Sequence, residues 1–138
     1  MATLEALLKS PDQSVRLKAA LAAGTYPNLD HIEVLIRQCA SETDFFVRDT
    51  LSWALMRQDR PTVVQRLIPE LKSANPQSRS QALHTLSKIG DKNNYSLITT
   101  ELLLDADDFV ASTAWRSASV LVPDADKPAL VEILISQC

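Results

Sequence analysis

Only two glycines, Gly24 and Gly90, occur in the 138 residues. That scarcity excludes a glycine-rich loop of the kind whose bare backbone cradles phosphates. Aromatic residues make up 5% of the chain, and β-branched residues rarely alternate with polar ones, so sheet has little support. The two cysteines, Cys39 and Cys138, stand far apart, with no Cys-x-x-Cys and no Cys/His ligand spacing. A metal site is therefore not expected, and two lone thiols read as a reduced, cytoplasmic protein. No apolar run approaches the length that spans a bilayer. Met1 to Glu5 has neither a basic n-region nor an apolar h-region, so no secretion signal is expected. Basic residues are not in excess. The net charge of −3 argues against a general nucleic-acid binder, which needs Lys and Arg to displace phosphate counterions; a local basic stripe stays open.

What the chain does have is a period. Asp12 to Arg16 reads Asp-Gln-Ser-Val-Arg, and similar units return as Asp44 to Arg48, Asn75 to Arg79 and Asp107 to Ala111. Arg48 lies 32 residues after Arg16, Arg79 lies 31 after Arg48, and Ala111 lies 32 after Arg79. A fixed step of this size marks stacked helical repeats. The length fits one domain, residues 1–138. Its repeats are expected near 1–25, 26–58, 59–91 and 92–122, with a half repeat at 123–138.

Asp and Asn accept hydrogen bonds from the open N–H groups of a helix's first turn. Asp12, Asp44, Asn75 and Asp107 thus read as N-caps of four second helices, at 12–24, 44–58, 75–90 and 107–121. Pro76 suits a first helical position. Before each lies another apolar-periodic stretch, at 2–9, 30–40, 61–73 and 94–104, and a fifth runs from Pro128 to Cys138. Asp30 and Asp126 are the expected caps of two of these. Gly24, Pro27, Pro61, Gly90 and Pro123 are read as breakers. On the second helices, Val15, Val47, Ser78 and Val110 share a face with Ala19, Leu51, Ala82 and Ala114 and with Ala23, Leu55, Leu86 and Ala118. That face is the expected core, and its alanines imply close backbones. The expected architecture is all-α: a right-handed superhelical solenoid of about four and a half helical pairs, each burying its apolar face only against its neighbours.

Helix pairs with Asp-x-x-Val-Arg opening the second helix resemble HEAT repeats, and among them the short bacterial type first described in phycobilisome lyases. The resemblance covers essentially the whole chain and implies a fold, not an activity. It implies a ladder of Asp and Arg side chains between adjacent repeats, carried here by Asp12, Arg16, Asp44, Arg48 and Arg79. Ala111 breaks the pattern, so the ladder is expected to stop before the C-terminal repeat. A more local stretch, Asp44 to Leu55, is similar to a segment of DNA alkylation-repeat glycosylases, and Trp53 falls on their groove tryptophan. Met56 stands where their arginine is, with Arg57 one place late, and Asp49 stands where a phosphate approaches.

Positions one, five and eight after the Arg column face away from the expected core. They are Leu17, Leu21 and Gly24; Asp49, Trp53 and Met56; Ser80, His84 and Ser87; Ser112, Arg116 and Ser119. The partner-binding groove is expected to use Leu17, Leu21, Asp49, Trp53, Met56, Arg57, His84 and Arg116. Trp and Met favour interfaces, and His84 and Arg116 suit a polar or anionic end. Trp53 either faces the groove or fills a gap between repeats. Leu17 and Leu21 either face it or lie under the loop of Tyr26. The cluster of Glu101, Asp105, Asp107 and Asp108 reads as a solvated face or caps, without calcium-loop spacing.

No Ser or Cys stands in a nucleophile motif, and His31 and His84 lie about one and a half repeats apart, so catalysis has no positive support and no cofactor is expected. The reading is a non-enzymatic protein–protein interaction or scaffold module. The alternatives are a DNA-binding relative of the alkylation-repeat glycosylases and a tetrapyrrole lyase or chaperone-like subunit. The stretch 128–138 lacks a second helix. Either the natural chain continues beyond Cys138 or another copy covers this flank, and self-association there is expected.

Overall fold

The structure is a computed structural model, and it describes residues 3–137. Met1, Ala2 and Cys138 lie outside the described residues, and with Ala2 and Cys138 go the outer edges of the helices expected at 2–9 and 128–138. Nine α-helices and four short 3-10 turns follow one another, with no strand among the described residues. The helices are α1 (Leu4–Leu8), α2 (Gln13–Thr25), α3 (Ile32–Ser41), α4 (Phe45–Met56), α5 (Arg60–Leu67), α6 (Pro76–Ile89), α7 (Thr100–Leu103), α8 (Asp108–Leu121) and α9 (Lys127–Ser136).

The long second helices start where their caps dictate. Asp12 Oδ1 accepts from Ser14 N–H at 2.9 Å, Asp44 from Val47 at 3.0 Å, Asn75 from Gln77 at 3.0 Å and Asp107 from Val110 at 3.0 Å. Each such bond satisfies a donor that helix geometry leaves open, at about 1 kcal/mol. Gly90 closes α6 in the left-handed conformation, φ 71°, which a glycine adopts without strain.

Successive second helices α2, α4, α6 and α8 touch in order, and each carries its own shorter first element: α1 on α2, α3 on α4, α5 on α6, α7 on α8. The shared face is buried as its spacing requires. Val47, Leu51, Leu55, Leu86, Val110 and Ala118 have no exposed surface, and Ala19, Ala23, Ala82 and Ala114 are buried with them. Val15 is only half-buried, at the end of the stack. A second buried column was not legible: Ala20, Ser52 and Leu83, then Ala54, Thr85 and Ser117, where one second helix meets the next. Its polar members are bonded. Ser52 donates to Gln81 Oε1 at 3.3 Å, and Ser117 donates to the Leu83 carbonyl at 3.0 Å.

The first elements depart from expectation. The helix expected at 61–73 ends at Leu67, because Pro69 has no N–H and clashes with a continuing turn; a 3-10 turn, Pro69–Lys72, finishes the stretch. The helix expected at 94–104 is a 3-10 turn, Lys92–Leu97, then the single turn α7. Ile98 and Thr99 are extended between them, and Thr99 restarts the helix by capping Leu102 N–H. Asp30 is not a cap: Asn28 takes that role for the turn Leu29–His31. Asp126 occupies a cap position, but its side chain makes no capping bond. Gly24 does not end α2, which runs through it to Thr25.

Candidate functional site

Three arginines repeat one anchoring. Nη1 of Arg16, Arg48 and Arg79 donates to the carbonyl six residues earlier, on Ser10 (2.9 Å), Glu42 (3.0 Å) and Ser73 (2.8 Å). Arg16 then grips the Glu42 carboxylate with Nε and Nη2 at 2.9 and 3.1 Å, and Arg79 grips Asp105 at 3.0 and 3.0 Å. Such paired charge-assisted bonds fix geometry as well as energy. Glu42 and Asp105 also accept the backbone N–H of the caps Asp44 and Asp107. The ion pairs of Arg16 and Arg79 therefore each join the arginine to the acid two residues before the next cap. They do not join it to the cap itself; Asp12 spends its carboxylate on the start of α2, while Asp44 Oδ1 caps α4 and also accepts from Gln13 Nε2 of the preceding repeat at 3.5 Å. Burial pushes the Glu42 carboxyl up, but Arg16, the Asp44 N–H and Gln38 together outweigh it and hold the group below the usual carboxylate range. Arg48 differs from its siblings: the residue two before the next cap is Ser73, and among the described residues Arg48 makes only carbonyl bonds, to Glu42 and Thr43.

The expected groove residues fall on successive second helices. Leu21 is 45% exposed, while Leu17, Trp53 and Met56 are half-buried, and Leu17 and Trp53 pack against the core. Tyr26 is itself exposed and does not seal Leu21. The Trp53 ring lies across Gly24 of α2, so it joins two repeats and keeps one edge at the surface. Arg57 Nε donates to the Gly24 carbonyl at 3.2 Å beside it.

Farther along lies a hollow of about 170 Å³, lined by Phe45, Arg48, Asp49, Ser80, Gln81, His84, Phe109, Thr113 and Arg116. Asp49 Oδ1 lies 3.3 Å from His84 Nε2 and 3.3 Å from Lys88 Nζ. Burial pushes the His84 pKa down, aided by the Lys88 and Arg116 charges and opposed by Asp49. The ring is thus neutral at pH 7, and since a carboxylate only accepts, Nε2 carries the proton. Burial raises the Asp49 carboxyl, but His84 and Lys88 more than offset it and its pKa is lowered. Phe45 and Phe109 stand 65% and 62% exposed at the rim. The acidic cluster at the fourth repeat is divided: Asp105 is held by Arg79 and Asp107 caps α8.

Sequence reasoning missed Glu42, Phe45 and Phe109, and it read Asp105 only as a solvated or capping acid. The acids had a signal: each lies 26 residues after its arginine and two before a cap. The phenylalanines had one too, since first-turn positions beside a cap point outward. Gln58, buried after α4, was also missed; its amide donates to the Ala23 carbonyl at 2.9 Å and accepts from Asn28 N–H at 2.8 Å, tying two repeats together.

The stacked pairs, the capped second helices and the arginine pairs define a helical-repeat protein. The family model for HEAT repeats matches residues 1–69, half of the chain, and the chain belongs to that family. No curated protein matches it. Among the described residues, no helix is long and apolar enough to cross a membrane.

Proposed function

We propose that this chain is a non-enzymatic protein–protein interaction module whose partner lies along the face shared by α2, α4, α6 and α8. One observation carries this reading. Leu21, Trp53, His84 and Arg116 occupy corresponding places on four helices that touch in order, so they form one strip running from apolar to polar. Trp53 supplies an aromatic anchor, and Leu21, Phe45 and Phe109 supply exposed apolar surface beyond what folding needs. HEAT repeats commonly serve as interaction scaffolds, which agrees with the strip.

The test is site-specific photo-crosslinking in the native cell. A crosslinker at Leu21 or Arg116 is expected to capture a protein that one at Arg37 or Gln65, on the first helices, does not. Equal capture from both faces overturns the reading. A duplex-DNA mobility shift that weakens with salt, and is lost in Arg57→Glu and Arg116→Glu, would favour the DNA-binding alternative instead. Exposed Val131 and Ile135 support self-association through α9 as a second contact. Light scattering that shows a strict monomer at high concentration removes it.

A further inference from the structure

We propose that Arg48 is the receptor for a carboxylate side chain of a bound acidic peptide, with Phe45 and Phe109 flanking the peptide on the hollow's rim. The inference rests on the interaction face proposed above and names the chemistry of its partner. It starts from a series with one member incomplete. Arg16, Arg48 and Arg79 are anchored alike through Nη1, and two of them close a paired bond to a carboxylate through Nε and Nη2. At Arg48 the place of the corresponding acid is taken by Ser73, which accepts the Asn75 N–H through Oγ but offers no carboxylate. The chain from Arg48 to its next cap is also one residue shorter than in the other two repeats.

Among the described residues, no carboxylate lies within ion-pair distance of Arg48. Among the described residues its Nε and Nη2 have no partner, and neither atom is sealed from solvent, so water reaches them. The residue lines the hollow together with Arg116. The one carboxylate there, Asp49, is already shared between His84 and Lys88. The hollow is therefore cationic in a chain whose net charge is −3. An arginine fork binds a carboxylate through two parallel bonds, as the same chain shows twice. Two phenylalanines more than half exposed at the rim suit apolar neighbours of that acid. A nucleic acid is disfavoured, because its successive phosphates would meet Asp49.

The experiment is a nuclear magnetic resonance titration of the full chain, read at the arginine Nε–H signals. The probes are acetyl-Gly-Phe-Glu-Phe-Gly amide, its Gln counterpart and inorganic phosphate. The Glu peptide is expected to shift the Arg48 signal saturably, leave those of Arg16 and Arg79 in place, and bind about tenfold tighter than the Gln peptide. Arg48→Gln is expected to make the two peptides equal. Ser73→Asp, which offers the missing acid within the chain, is expected to weaken the Glu peptide by a similar factor while the melting temperature holds or rises. Equal binding of Glu and Gln peptides, or a Ser73→Asp protein that binds like the parent, overturns the proposal. A phosphate shift as large as that of the Glu peptide overturns the commitment to a peptide. Each of these failures leaves the strip's crosslinking pattern untouched, so the two readings fall separately.

Discussion

The ring of Trp53 occupies the place a side chain on Gly24 would need. A Cβ at Gly24 would come within 2.3 Å of Trp53 Cζ3 and 2.7 Å of Cε3. Gly24 sits inside a helix, where Ala is favoured by up to about 1 kcal/mol, so its presence reflects the ring and not the helix. Gly24→Ala is expected to lose about 1–3 kcal/mol, the usual cost of overpacking, because the ring must move against the core it rests on. In a Trp53→Leu background the same change is expected to become neutral or stabilising. Urea unfolding of the four proteins gives the coupling directly; additive single effects would show that the ring does not depend on the glycine.

Glu42 links Arg16, the Asp44 cap and Gln38, and its side chain is almost wholly buried. Glu42→Ala leaves the partly buried Arg16 guanidinium and the Asp44 N–H without their partner and is expected to cost about 1–3 kcal/mol. The pH dependence has a definite sign. A carboxyl whose pKa is lowered by folding stabilises fully above its unfolded value, about 4.3, and that contribution is lost as pH falls through the lower folded value. Asp105 behaves in the same direction, with burial again opposed by Arg79 and the Asp107 N–H. Acid unfolding is therefore expected to set in below about pH 4 and to be shallower in Glu42→Gln. An unchanged acid limb in that variant would remove Glu42 from the account.

These two cases show what the sequence could and could not disclose. The caps Asp12, Asp44, Asn75 and Asp107 were legible because a cap acts within three residues of itself. The core column was legible because helical periodicity is local. The Arg16–Glu42 pair was not, since it joins positions 26 apart and the arginine's partner could be any nearby acid. The fit of Trp53 over Gly24 depends on how two helices cross, which no single-helix pattern encodes. The fourth first-element failed as a helix because Thr99 restarts the chain there, a competition between capping and apolar periodicity that spacing alone does not decide.

His84 faces Asp49, Lys88 and Arg116, and the balance of burial and these charges lowers its pKa. The unfolded chain therefore takes up a proton at about pH 6.5 while the folded one resists until lower pH. Stability is expected to fall as pH drops through that window, the opposite of a histidine held by an ion pair. His84→Gln is expected to flatten the slope between pH 7 and pH 5. A proton-detected titration of the ring with a midpoint above 6.5 would contradict the argument.

The chemistry of Cys39 depends on the stacking of the repeats around it. Its thiol is buried on α3, and burial, with the Glu42 and Glu70 charges, pushes its pKa up to about 12 against the opposing charge of Arg48. Only the thiolate reacts, so at pH 8 about one thiol in 10⁴ is competent even before access is considered. Gln77 from α6 bonds the Cys39 carbonyl at 2.8 Å, so freeing this residue means parting two repeats. In a Cys138→Ser background, Cys39 is expected to react with an aromatic disulfide reagent only as fast as the stack opens, with a rate that climbs with urea. Gln77→Ala is expected to speed that reaction by weakening the bond between repeats. Labelling at the rate of a free thiol in the absence of denaturant would mean that α3 detaches without the repeats coming apart.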